Sequence, residues 1–247
     1  LDLLYEVNLH LFQCIARYTL SSLENKYDQP RNRYILDLRN KLMSITLGDF
    51  YPSIDQYALH GHHVRGSNFN FDGGPLSLDI IQGNTARANQ GNPSKNAINI
   101  SDIDSTTDID NWTITLSRNN YTFQQELFGA KIGLKLGDKF YWDVNYIKVE
   151  DNIASVVKEI SDANIMIPSS NNIYSTTYDS LGSFLRDNPD IFGANTTINF
   201  PINNWIGTKP RDNLIYGSNI KFGFNYSRIQ ISSGFSISFL NRNKWNN

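Results

Sequence analysis

Apolar and polar residues alternate with a period of two along several stretches of this 247-residue chain. In the clearest, Phe128, Ala130, Ile132, Leu134 and Leu136 alternate with Gly129, Lys131, Gly133 and Lys135. Gly137-Asp138-Lys139 interrupts the run. Phe140, Trp142, Val144 and Tyr146 then alternate with Tyr141, Asp143 and Asn145. A period of two places successive side chains on opposite faces, which marks strands rather than helices. A three-residue turn sets Leu136 against Phe140 and Leu134 against Trp142, so one face stays apolar across the hairpin. The other face carries Lys131, Lys135, Asp143 and Asn145. Gly133 opposite Asp143 would leave room for both lysines to approach that carboxylate.

A second hairpin is predicted from Ile220 to Phe239. Ile220, Phe222 and Phe224 precede a turn at Tyr226-Ser227, and Ile229, Ile231, Phe235, Ile237 and Phe239 follow. A two-residue loop pairs Phe224 with Ile229 and Phe222 with Ile231. Lys221, Gly223, Gln230, Ser232, Gly234, Ser236 and Ser238 fall on the opposite face. A third hairpin turns at Gly73-Gly74, a favoured type I′ or II′ pair, setting Phe71 against Leu76 and Phe69 against Leu78. A weaker turn sits at Arg39-Asn40-Lys41, where apolar positions switch parity from Tyr34, Leu36 and Leu38 to Met43, Ile45 and Leu47. The stretch Leu1, Leu3, Tyr5, Val7, Leu9 and Leu11 also alternates.

Long polar segments separate these short turns, at about 85–120 and 151–212. Soluble domains rarely need connections of that length. Short turns alternating with long loops are the asymmetry of outer-membrane barrels. The turns at Arg39, Gly73, Gly137 and Tyr226 can share one side, provided that Trp112 to Ser117 is a strand extension above the membrane and not a separate span. Within the longer segment, Asp179 to Arg186 is a candidate short helix, capped by Thr177 and stopped by Pro189. As surface loop it fits better than as a constriction of a lumen.

The expected fold is therefore all-β. It is an antiparallel up-and-down meander of roughly nine spans, with residues 1–247 forming part of a transmembrane β-barrel with long extracellular loops. A soluble sandwich would also bury one face of each strand. Three features favour the barrel. The non-apolar face is rich in Gly, Ser, Asn and Lys. The apolar faces run for about nine residues, close to the ~9–11 that a spanning strand needs. Aromatics gather at strand ends: Phe140, Tyr141 and Trp142 by one turn, Tyr226 by another, and Trp245 near the end. A strand pattern at both ends of the sequence suggests a piece of a larger barrel, since an open edge in lipid costs several kcal/mol per unpaired group.

Composition narrows the classes further. A net charge of -2 gives no basic surface for nucleic acid. The single cysteine, Cys14, allows neither an internal disulfide nor a cysteine metal cage. No apolar run is long enough for a transmembrane helix.

The stretch Thr46 to Phe71, TLGDFYPSIDQYALHGHHVRGSNFNF, resembles a strand–loop–strand unit of bacterial outer-membrane barrels. The resemblance lies in Leu47-Gly48-Asp49, Tyr51-Pro52, and Gly61, Val64, Arg65 and Gly66 opening the next strand. VEDN (Val149 to Asn152) and DNLIYGSNIKF (Asp212 to Phe222) resemble strand exits and re-entries of the same kind. Gly-Asp followed by an Arg-Gly strand is also faintly similar to the start of a fimbrial usher barrel. The resemblance implies an outer-membrane location, contact with lipid or lipopolysaccharide, and secreted or surface proteins as partners. It carries over no catalytic residue.

The chemistry-bearing residues are few. Lys131, Lys135, Asp143 and Lys221 are candidates to line a lumen, where they would set ion preference or satisfy one another as a charge cluster. Asp102, Asp104, Asp108 and Asp110 offer alternate carboxylates to Ca²⁺, the one cofactor the sequence suggests. The EF-hand spacing is absent, and a solvated acidic loop is the simpler reading. His60, His62 and His63 lack a further ligand at a convincing spacing and read as a polar loop. No nucleophile elbow, P-loop or His-Glu-x-x-His is present, so no enzyme is predicted. The expected function is a structural or pore-forming barrel. A secretion or usher-like assembly barrel and a soluble extracellular binding protein are the alternatives.

Overall fold

The computed structural model describes residues 2–8, 12–22, 32–54, 59, 61–91, 97–104, 111–156, 165–166, 177–178, 195–224 and 229–246. The chain divides into two compact units. One comprises Leu1–Arg87, Gln124–Asn152 and Lys209–Asn247, and the other Ala88–Phe123 and Ile153–Thr208.

The first unit is an antiparallel sheet of ten strands. Numbered along the whole chain, they are β1 (Asp2–Asn8), β2 (Gln13–Thr19), β3 (Arg33–Arg39), β4 (Met43–Phe50), β5 (Val64–Asp72), β6 (Leu76–Ala86), β9 (Gln124–Leu136), β10 (Phe140–Asn152), β14 (Asp212–Phe224) and β15 (Ile229–Asn241). Each pairs with the next in this order, so the sheet is a meander. Connections at 9–12, 40–42, 73–75, 137–139 and 225–228 alternate strictly with longer ones at 20–32, 51–63, 87–123 and 153–211. In an antiparallel meander that alternation puts every short turn at one end of the sheet. Ten strands stand where roughly nine were expected. The sequence reading had no separate strand at β2, where Arg17 and Gln13 blur the alternation.

The two clearest hairpins have the predicted register. Leu136 faces Phe140 and Leu134 faces Trp142. Phe222 faces Ile231 and Phe224 faces Ile229, although residues 225–228 lie outside the described ones. The Gly73-Gly74 hairpin differs. A two-residue loop would close on Asp72 and Pro75, and Pro75 has no N–H to donate. Instead the Gly73 N–H donates to the Leu76 carbonyl at 2.9 Å, and the Gly74 N–H to the Asp72 carboxylate at 3.0 Å. Phe71 then faces Leu78 and Phe69 faces Ile80. The slip is two residues, so no side chain changes face. The turn near Arg39 lies one residue later than predicted. The Asn40 N–H donates to the Met43 carbonyl at 2.8 Å, and the Asn40 side-chain oxygen accepts the N–H groups of Leu42 and Met43.

Two adjacent rows of register partners cross all ten strands with opposite character. One reads Val7, Cys14, Leu38, Ile45, Phe69, Ile80, Ala130, Tyr146, Tyr216 and Ile237. The next reads Asn8, Gln13, Arg39, Ser44, Asn70, Asp79, Lys131, Asn145, Gly217 and Ser236. On the central strands the apolar side is the exposed one, while on the edge strands β1 and β15 both sides are exposed. Ile132 is 57% exposed, Trp142 44% and Phe235 61%, while Asp143 is 4% exposed and Asn145 1%. The polarity of an ordinary soluble domain is thus reversed.

Toward the long-loop end the inner face turns apolar. Val64, Ile81, Leu127, Ile147 and Ile215 form a core there with Phe50 and with Ile54 and Leu59 of the 51–63 connection. Gly129 makes this seat possible: a Cβ at that position would stand 2.6 Å from Ile54 Cδ1. At the same end, Gly48 (φ +102°) brings its Cα against the Tyr34 carbonyl. Asp49 then accepts the Tyr34 N–H at 2.9 Å and binds Arg65 through both carboxylate oxygens, at 2.9 and 3.0 Å. The Gly-Asp and Arg-Gly pairs that carry the barrel resemblance are therefore one clasp across β4 and β5.

The second unit holds a five-stranded mixed sheet in the order β12-β11-β7-β8-β13. Its strands are β7 (Ile98–Asp104), β8 (Asn111–Arg118), β11 (Ile165–Met166), β12 (Thr177–Tyr178) and β13 (Asn195–Asn199). The two segments read as loops thus form a sheet of their own. Trp112 to Ser117 belongs to β8 and extends no strand of the larger sheet. Thr177 stands in β12, and the candidate helix Asp179 to Arg186 lies outside the described residues. Ile98, Ile100, Ile114, Leu116, Phe123 and Trp205 are buried in this unit. Arg118, 3% exposed, lies under the rings of Trp205 and Phe200, 4.9 and 5.4 Å from their centroids, and donates to the Gln90 side-chain oxygen at 2.8 Å. Burial lowers its pKa from the ordinary arginine value.

Candidate functional site

The polar face of the ten-stranded sheet encloses an open concavity of about 1230 Å³ at the short-turn end. Side chains from β3 through β15 line it.

Lys131, Lys135, Asp143 and Lys221, singled out from sequence as lumen residues, all line this concavity. The structure separates them into two kinds. Lys131 does not reach Asp143. Its ammonium sits 3.0 Å from Asp79 Oδ2 and donates to the Ile54 carbonyl at 3.3 Å, which ties it to the connection packed above. Asp79 also accepts the Asn70 side-chain N–H at 2.6 Å, and Asn70 in turn accepts the Ser44 hydroxyl at 3.2 Å. The polar row is thus a hydrogen-bonded ladder across β4, β5, β6 and β9.

Asp143 is buried and accepts the Asn219 Nδ2–H at 2.9 Å. The room at Gly133 is taken up by Ser77 and the Tyr141 ring, which a Cβ there would meet at 2.4 and 3.3 Å, and not by the lysines. Lys135 and Lys221 are exposed into the concavity. The Lys221 ammonium lies 5.9 Å from the Tyr141 ring centroid. Deeper in, Asp37 is buried against Arg39 and the Thr46 hydroxyl.

Sequence reasoning missed Asp37 and Asp79. Their signal was present in Leu36-Asp37-Leu38 and Leu78-Asp79-Ile80, where a charge between two apolar strand residues must face the polar side.

The remaining candidates do not converge. Asp102 and Asp104 lie on β7, with Asp102 exposed, while Asp108 and Asp110 lie outside the described residues. His62 is exposed, His63 Nε2 lies 2.9 Å from Asp49, and His60 lies outside the described residues. Among the described residues no group of three His, Cys, Asp or Glu side chains is placed to hold a metal.

The chain matches no protein-family model, and no curated protein or solved structure is significantly similar to it. The functional reading therefore rests on geometry and chemistry alone.

Proposed function

We propose that the ten-stranded sheet is wall from a bacterial outer-membrane β-barrel, with its apolar face to lipid and its polar concavity to a lumen that admits small polar solutes. The observation that carries this is the pair of adjacent rows, one apolar and one polar across every strand, with the apolar row outermost.

Size supports the reading. From Phe128 to Leu136 the outward residues cover about 27 Å of strand, or about 21 Å of membrane at a barrel's usual tilt, near the ~25 Å apolar band of known barrels. Around the sheet the row extends about 43 Å. An exposed apolar patch on the order of 1000 Å² is larger than soluble monomers carry.

The edges of the band support it too. At the long-loop end the outer face changes to Asp49, Arg65, Asn84, Glu126, Glu150 and Asp212, consecutive register partners suited to a headgroup layer. Aromatic contacts flank the band: Phe140 on Phe222 near the turns, and Tyr146 on both Phe128 and Tyr216 at the other side. Within it, the Trp142 indole N–H donates to Ser218 Oγ at 3.0 Å, and that hydroxyl to the Asp143 carbonyl, so these polar groups need no water.

Flotation with lipid vesicles after refolding tests the wall, and ion conductance across a planar bilayer tests the lumen. The expected results are co-flotation resistant to alkaline wash and stepwise conductance. Full recovery in the aqueous phase without detergent would sink the membrane reading. Flotation without conductance would leave a structural wall and remove the pore.

A further inference from the structure

We infer that the concavity is an anion site, in which Lys135 and Lys221 hold a small oxyanion carrying two or more negative charges. The inference deepens the proposed lumen and rests on that reading for how a solute reaches the site.

The argument is one of which charges a solute meets. Three of the inward carboxylates are already engaged. Asp37 is paired with Arg39, Asp79 with Lys131 and Asn70, and Asp143 with Asn219. Asp37 and Asp143 are also buried, at 6% and 4% exposure. Lys131 is spent on Asp79 and the Ile54 carbonyl. What remains open on β9, β10 and β14 is cationic: Lys135 and Lys221, both exposed, with no carboxylate within ion-pair distance among the described residues. Asp72, the last residue of β5, is also exposed to the concavity but stands two strands away from Lys135, and the turn tips add Lys41 and Asp138, both exposed, where salt screens most strongly.

The placement fits one ligand between two ammonium groups. Lys135, Tyr141 and Lys221 are consecutive register partners on β9, β10 and β14. The two lysine backbones therefore stand about 10 Å apart, on either side of Tyr141. Flexible four-carbon stems can converge across that gap. Asp143, one row deeper, is buried and bound by the Asn219 side chain, which holds that carboxylate away from the ligand. Ser232, the next register partner on β15, adds a hydroxyl donor. A dianion or higher, such as a phosphate ester or a polycarboxylate, can touch both lysines, and a monoanion only one.

The test is calorimetric titration of the purified full chain in detergent micelles with inorganic pyrophosphate, at low and high salt. The wild-type chain should bind, and more weakly as salt rises. Lys135→Gln and Lys221→Gln should each weaken binding about tenfold, roughly the effect of one charged contact. The double variant should abolish it. Lys139→Gln, on the adjoining turn and outside the concavity, should bind within about twofold of wild type. No binding by folded wild type, or binding unchanged in the double variant, overturns the inference. Vesicle flotation of the same preparation separates the two claims. A chain that floats but does not bind refutes the anion site alone, and one that binds but does not float refutes the membrane wall alone.

Discussion

Single residues in this chain are explained by what lies across the strand from them. Lys131 is the plainest case. Its ammonium closes the ladder from Ser44 through Asn70 to Asp79, and replacing it leaves a half-buried carboxylate with one neutral donor. Lys131→Met should cost about 1–3 kcal/mol, read as an earlier midpoint in urea unfolding from micelles. Lys135→Met, which removes an exposed ammonium, should stay within about 0.5 kcal/mol of wild type. Equal losses would mean that the pairing has been misassigned. Gly48 makes a sharper prediction. Its φ of +102° and a Cβ placed 2.1 Å from the Tyr34 carbonyl oxygen leave no space for any side chain. Gly48→Ala should cost about 2–4 kcal/mol and loosen the Asp49–Arg65 clasp. Unchanged thermal stability of that variant would show that the β3–β4 contact is absent in solution.

At the scale of elements, the informative contact joins a connection to a strand. Ile54 occupies space that Gly129 leaves open on β9. Gly129→Ala should destabilise the sheet, and Ile54→Ala should destabilise it by loss of burial. In combination the two should recover part of the loss, with a coupling of about 1–2 kcal/mol. Strictly additive effects would place the 51–63 connection elsewhere. This contact also marks where sequence reasoning stopped. The alternation in Phe128 to Tyr146 and Ile220 to Phe239 was legible because each hairpin is local, and side-chain period and turn length together fix register. The partner of Lys131 was not legible. It depends on the pairing of β6 with β9, strands separated by residues 87–123. The Gly73-Gly74 slip could have been foreseen from Pro75, whose missing N–H excludes the tighter loop. The second unit escaped because β7 and β8 carry Asp, Ser and Thr between short apolar positions, and because β13 pairs with β8 in parallel, a long-range contact with no local signature.

For the molecule as a whole, the central claim is that the face of the large sheet clad in Ile, Phe, Val and Trp meets lipid, while the face holding Lys131, Asp143 and Asn145 meets water. Hydrophobic burial drives the fold of a soluble domain inward. Here the same residues are exposed, and a hydrogen-bonded polar ladder is enclosed. That arrangement suits a wall whose outer medium is itself apolar, the proposal made above. The most direct measurement is a nitroxide scan of positions 128 to 136, one residue at a time, in the vesicle-reconstituted chain with Cys14 replaced by serine. Accessibility to oxygen and to a water-soluble nickel chelate is compared at each position. The account predicts a period of two: oxygen contact at 128, 130, 132, 134 and 136, and nickel contact or burial at 129, 131, 133 and 135. Nickel access at the even positions, equal to that of an exposed loop, would contradict it.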